Sequence, residues 1–189
     1  STCENSMKNY IKLIRPYGIL FLGLTPVFGA ICNGEFDYMK LFILFIIGSL
    51  MHIFTFVQND YYDLDIDKKS KYVLDRPFAS GEISKKNVFL LILFSLLLSI
   101  ILYSIFLFTI LSFFVLLLSF FLITLYNIYS KKIPGMEYIL STGVFTFGIF
   151  GALTVSNTIS LFALLISLLG FMQWLFSVGI SANLKDVEY

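Results

Sequence analysis

The sequence predicts an all-α protein, a polytopic transmembrane helical bundle, and three observations point to it. Of its 189 residues, 58% are apolar and only 13% are charged, far from the balance of a soluble domain. The apolar residues come in long runs that are apolar all round, whereas a soluble core helix alternates apolar and polar faces. The basic residues collect in alternate connections between these runs.

A membrane helix needs roughly 20 mostly apolar residues to cross about 30 Å of hydrocarbon. Six segments of the chain qualify. The first, over 17–32, is short and interrupted by Pro26, so it is expected to borrow Ile11 to Ile14 or to tilt little. The second covers 41–58. The run 88–126 is too long for one crossing and suits two, joined by a tight hairpin near Ser104 to Ser112. The fifth and sixth cover 138–156 and 159–184, with Asn157 and Thr158 at the turn between them. No repeat or low-complexity linker divides the chain, so one compact domain is expected over 1–189.

Lys and Arg accumulate in short cytoplasmic loops. Lys8, Lys12 and Arg15 precede span one, while Lys68, Lys69, Lys71, Arg76, Lys85 and Lys86 follow span two. Lys131 and Lys132 follow span four and Lys185 follows span six, so 12 of the 13 basic residues share a side and Lys40 stands alone on the other. The N-terminus is therefore expected in the cytoplasm, and the abundance of Ile, Phe and Lys points to a prokaryotic cell membrane. One histidine with Cys3 and Cys32 cannot build a four-ligand Cys/His zinc site. A net charge of +1 gives no basic field for nucleic acid.

Span two runs on without Gly or Pro into Asn59-Asp60-Tyr61-Tyr62-Asp63-Leu64-Asp65-Ile66-Asp67. If the helix persists, residues three and four apart share a face, which groups Asn59, Asp60, Asp63 and Asp67 and turns Asp65 away. Like charges at that spacing destabilise an isolated helix and call for a cation. Oxygen ligands of this kind suit magnesium, which commonly joins one or two carboxylates to phosphate oxygens. The plain alternative is a solvated cap on a membrane helix, disfavoured because three carboxylates and an amide fall on one stripe. A calcium loop is excluded, since its required Gly and Glu are replaced by Lys68 and Leu74.

Beyond the cluster, Arg76 beside Pro77 places a planar, permanently charged fork on a stiffened backbone, suited to clamping a diphosphate. Ser80-Gly81 reads as a turn and Ser84 as a cap for span three. The lysines of this loop read mainly as membrane-side anchors. His52 lies inside span two, where an ionisable residue is a functional suspect. Glu137, Gln173 and Trp174 have weaker claims, and Tyr61, Tyr62 and Tyr129 read as interfacial belt residues.

At these residues the sequence resembles the UbiA-type superfamily of membrane prenyltransferases. Asn59-Asp60-x-x-Asp63-x-x-x-Asp67 is similar to its first aspartate motif, and Asp75-Arg76-Pro77 through Ser84 to the segment after it. Arg15-Pro16 resembles the family's lead-in to span one. Tyr126-Asn127-Ile128-Tyr129-Ser130-Lys131-Lys132 is similar to its Tyr-and-Lys segment; strict spacing puts Ser130 in the lysine place, so both lysines stay open. Asn183-Leu184-Lys185-Asp186 resembles the start of a second aspartate motif.

The resemblance implies nine spans around a lipid-open cavity, so the chain reads as the N-terminal two-thirds of such an enzyme, C-terminally incomplete. It implies a magnesium-dependent prenyltransferase moving a polyprenyl group from an isoprenoid diphosphate to an aromatic, quinone-precursor or glycerol-lipid acceptor. Mg2+ is expected at Asn59, Asp60, Asp63, Asp67 and Asp186. Diphosphate is expected at Asn59, Arg76, Tyr126, Lys131, Lys132 and Asn183. Asp63, Asp67, Arg76 and Lys131 would carry catalysis. The expected partners are membrane lipid, the polyprenyl diphosphate donor and a small-molecule or lipid acceptor. Two rivals remain: a cation-binding transporter, whose site would normally lie near the bilayer midplane, and a non-catalytic membrane fragment.

Overall fold

The structure, a computed structural model, describes residues 2–69 and 76–180. The elements in chain order are α1 (Thr2–Ile14), α2 (Ile19–Cys32), α3 (Tyr38–Asp67), α4 (Lys85–Phe106), α5 (Ile110–Tyr129), α6 (Met136–Leu153) and α7 (Leu161–Trp174). A 3-10 turn, Pro16–Gly18, joins α1 to α2, and α7 runs on as a π-helical stretch over Leu175–Ile180. No strand occurs among the described residues. Five helical stretches are long and apolar enough to cross a membrane, and the sixth, Leu161–Ser177, is apolar but shorter.

Two helices form the centre. In α3 and α6, 61% and 67% of the most apolar stretch is buried, against 28% in α4 and 33% in α5. α3 packs on α2, α4 and α5, while α6 packs on α2, α5 and α7. The outer helices turn Phe94, Leu97, Ile101, Phe114, Leu118 and Phe121 outward, as expected where the surroundings are lipid rather than water.

Lipid-facing apolar residues give no drive for helix to meet helix, so the contacts rely on small residues and satisfied polar groups. At the crossing of α2 and α6, a Cβ on Gly29 would overlap the Gly148 carbonyl and one on Gly151 would overlap the Pro26 carbonyl. Between α5 and α6, Ser119 and Thr146 hydroxyls bond at 2.9 Å. On α4, Ser95 and Ser99 are fully buried and return their hydroxyls to the Leu91 and Ser95 carbonyls.

The expected interruption of the first span lies elsewhere. α2 runs unbroken through Pro26, whose missing N–H leaves the Leu22 carbonyl without its helical partner. Gly48 of α3 comes against that carbonyl, so closely that a Cβ there would sit 2.5 Å from the oxygen. The break falls instead at Arg15, which is left-handed at φ 53 and ψ 64. Pro16 disfavours the right-handed helical region at the residue before it, and the left-handed state costs a non-glycine residue roughly 1–2 kcal/mol.

The hairpin between α4 and α5 is where the run of apolar residues placed it. The Tyr103 hydroxyl, buried, accepts from Thr109 N at 2.9 Å and donates to Thr109 O at 2.6 Å. Thr109 itself caps α5 by accepting from Ser112 N. At the same end of the bundle, Asn33 donates to the carbonyls of Ala152 and Thr158 and accepts from Ser160 N, tying α2 to the turn before α7.

Candidate functional site

α3 continues as one helix from Tyr38 to Asp67, so the acidic residues do share a helical stripe as the spacing required. Asp65 is exposed and turned away, whereas Asp60 and Asp63 are 3% and 8% exposed. The stripe divides into two pairs. Asp60 and Asp67 face cations from outside α3, and Asn59 and Asp63 face each other and α5.

In the first pair, Arg15 Nη2 donates to Asp60 Oδ1 at 2.5 Å, and Arg76 Nη1 donates to the same oxygen at 3.3 Å. Arg76 Nη1 also reaches Asp67 Oδ2 at 3.1 Å. Two guanidiniums thus converge on one carboxylate, and Arg76 spans two turns of α3. A cleft of about 440 Å³ opens beside them, lined by Ile11, Lys12, Arg15, Pro16, Tyr17, Arg76 and Pro77.

Arg76 is delivered by a compact loop. Ser80 N bonds to Arg76 O and Ile83 N to Pro77 O, and Gly81 supplies the left-handed φ of +83 that this turn needs. Phe78 and Ile83 are buried, and the Phe78 ring stacks on Tyr61 of α3 at 6.4 Å. Tyr61 is therefore part of the packing that holds the loop, beyond the interfacial role the sequence suggested. Ser84 caps α4 by accepting from Asn87 N at 3.2 Å, as expected.

In the second pair, Asn59 Nδ2 donates to Asp63 Oδ2 at 3.3 Å. The cation whose charge bears most strongly on Asp63 is Lys131, at the end of α5. Tyr126, one turn earlier on α5, lies within the fields of Asp63 and Glu137. Lys131 and Lys132 are both exposed in the turn that follows α5. α5 is docked there by Asn127, whose amide donates to Thr55 O at 3.0 Å and to Gln58 Oε1 at 2.9 Å. Asn183 and Asp186 lie outside the described residues.

The sequence placed Arg15 in the lead-in to span one and Asn127 within the Tyr-and-Lys segment without a site role for either, and gave none to Gln58. A charged residue directly before Pro16 and an amide inside the Tyr-and-Lys segment were the available signals. Among the described residues no three His, Cys, Asp or Glu side chains converge as a complete metal cage. The donor set is instead a partial one, all oxygen, of the kind magnesium completes with water and phosphate oxygens.

The model of the UbiA prenyltransferase family matches residues 20–189, nearly the whole chain. The protein belongs to the UbiA prenyltransferase family. With its apolar helices, membership makes it an integral membrane protein. The chain is 40% identical over 85 residues to a 4-hydroxybenzoate octaprenyltransferase of Shewanella oneidensis (strain ATCC 700550 / JCM 31522 / CIP 106686 / LMG 19005 / NCIMB 14063 / MR-1). It is 40% identical over 83 residues to the protein so named in Shewanella halifaxensis (strain HAW-EB4). These matches cover 43% and 42% of this chain but only 29% of each relative. Among solved structures, one described under digeranylgeranylglyceryl phosphate synthase in membranes superposes with a TM-score of 0.75 at 23% identity. That superposition takes in 97% of this chain and 64% of the other, and it shows that the two share a fold.

Proposed function

We propose that this UbiA-family protein transfers a polyprenyl group from an isoprenoid diphosphate to an aromatic acceptor, with magnesium at the diphosphate. The observation that carries the reading is Arg76 bridging Asp60 and Asp67 beside the Asn59–Asp63 pair. Cations and carboxylates alternate at one end of an apolar bundle, which is what a bound metal diphosphate requires. The aromatic acceptor is supported by the relatives' name, 4-hydroxybenzoate octaprenyltransferase.

Asn59, Asp63 and Asp67 would hold magnesium together with Asp186, and Asn183 would meet the diphosphate. Asp60, taken up by two arginines, serves to hold them in place. Magnesium, when bound, neutralises diphosphate charge and so makes it a better leaving group. Arg76 and Lys131 stabilise the negative charge that grows on the diphosphate as the allylic carbon–oxygen bond breaks. Tyr126 would donate its hydroxyl to a diphosphate oxygen. The apolar walls keep water from the allylic carbon until the acceptor attacks it. One such wall is the groove of about 450 Å³ between α2 and α7, lined by Phe21, Leu24, Phe28 and Ile166.

The orientation that fits is the one with Lys-rich connections, N-terminus and motif in the cytoplasm, where soluble magnesium and diphosphate donors are met. A transporter reading fits less well, because Asp60 to Asp67 sit at a helix end rather than on a broken helix at mid-membrane. The test is transfer by membranes carrying the full-length protein, given radiolabelled polyprenyl diphosphate, magnesium and 4-hydroxybenzoate. Label moving into the aromatic acid is expected. Donor left intact across a panel of aromatic and glycerol-lipid acceptors would overturn the reading.

A further inference from the structure

His52 is 1% exposed in the middle of α3, and its Nε2 lies 3.0 Å from both the Ile14 and the Arg15 carbonyl oxygens. Carbonyls only accept, so Nε2 carries the proton and is the donor, while Nδ1 has no partner. These two carbonyls belong to the stretch where α1 ends and Arg15 turns left-handed. The Arg15 carbonyl also accepts from Gly18 N at 3.1 Å, so the donor from α3 adds to the turn's own bond there. His52 supplies that donor from two turns before the acidic motif.

The same imidazole is gripped from three directions. Gly18 lies against its edge so closely that a Cβ there would overlap Cε1. Phe56, one turn along α3, packs at 4.5 Å between ring centroids. The guanidinium of Arg15 then sits over the Phe56 ring, 5.3 Å from its centroid, on its way to Asp60. Backbone and side chain of Arg15 are thus both set from one face of α3, by His52 and Phe56 respectively.

We propose that His52 is a positioning residue: by donating to the Ile14 and Arg15 carbonyls it fixes the left-handed break that carries the Arg15 guanidinium onto Asp60, the carboxylate that also holds the diphosphate-binding Arg76. The diphosphate part of this rests on the proposed function; the mechanical part does not. His52 itself touches neither substrate nor metal. Its effect passes through Arg15.

Two measurements on the full-length protein in lipid nanodiscs separate these parts. The first is the mobility of a nitroxide at Ile11→Cys, with the native cysteines, Cys3 and Cys32 among them, replaced by serine. The second is magnesium-dependent binding of geranylgeranyl thiodiphosphate. His52→Leu is expected to mobilise the label and to weaken binding about tenfold, as loss of a buried donor to two carbonyls implies. His52→Gln, whose amide reaches the same carbonyls, should restore both. Gly18→Ala, which keeps the histidine but displaces it, should mobilise the label as His52→Leu does, even if His52→Leu proves poorly folded. The His52→Leu/Arg15→Ala pair should bind no worse than Arg15→Ala alone. An unchanged label in both His52→Leu and Gly18→Ala would overturn the proposal, as would losses that multiply in the double variant. A wild type that binds no diphosphate, with the label responding as expected, would instead remove the proposed function and leave the role of His52 standing.

Discussion

Arg15 and Asp60 meet across 45 residues of chain, and their contact closes the end of α1 onto the motif end of α3. Asp60 Oδ1 is also the acceptor for Arg76. Its removal leaves two guanidiniums without their common acceptor, at a cost of about 1–3 kcal/mol. Asp60→Ala should therefore lower the thermal unfolding midpoint in detergent as well as weaken diphosphate binding. Asp60→Asn, which keeps an acceptor oxygen but not the charge, should recover part of the stability and little of the binding.

Asp63 makes no guanidinium contact among the described residues, so its loss should show in chemistry rather than folding. Asp63→Ala is expected to abolish prenyl transfer while membrane insertion and the unfolding midpoint stay near wild type. Asp67→Ala should do the same with a somewhat lower midpoint, because Arg76 loses a partner. EDTA should silence the wild type and added magnesium restore it. Full turnover in both variants, or in EDTA, would contradict the metal assignment.

Both lysines are exposed after α5, and of the two it is Lys131 whose charge bears on Asp63. Lys131→Ala should lower kcat about a hundredfold, the scale of removing one donor to a developing anion. Lys132→Ala should stay within about twofold, as a surface change. Single-turnover rates for the two variants decide between the lysines.

The α2–α6 crossing offers a test remote from any site chemistry. Gly29→Ala and Gly151→Ala each push a methyl group into a backbone carbonyl of the partner helix. Each should cost about 1–3 kcal/mol or more, the scale of overpacking. Gly81→Ala, where nothing lies within 4 Å, meets no such clash and is strained only through its φ of +83. Unfolding midpoints of the three variants should rank accordingly.

Glu35, in the connection between α2 and α3, gives a pH signature. Burial opposes its ionisation, but the Asp37 N–H, the Lys40 ammonium and the Phe36 N–H outweigh this and hold its carboxyl below the ordinary range. A lowered folded-state pKa stabilises fully above the unfolded value of about 4.3 and is lost as pH falls through the lower folded value. Glu35→Gln should flatten that acid limb. Melting midpoints between neutral and strongly acidic pH would show an unaltered slope if Glu35 contributes nothing.

Hydropathy revealed the spans because lipid demands apolar runs of fixed length, and the turn chemistry of Gly81, the cap at Ser84 and the α4–α5 hairpin were equally local. The position of the first break was not. Pro26 looked disruptive, yet Gly48 of another helix comes against the carbonyl that it frees. Arg15, His52 and Asn127 act through partners 45, 38 and 72 residues away, and such pairings have no signature in a single chain's spacing. The choice between Lys131 and Lys132 likewise depends on how α5 exits at Ser130, which a spacing rule does not encode.

The arginine network is also closed early in synthesis. Its members, Arg15, Asp60, Asp67 and Arg76, all precede α4. Capped starts at Asp37, Ser84, Thr109 and Ser160 let later helices enter lipid with their own first amides already partnered. A nascent chain therefore contains every residue of this charged assembly before α5 brings Lys131 to it.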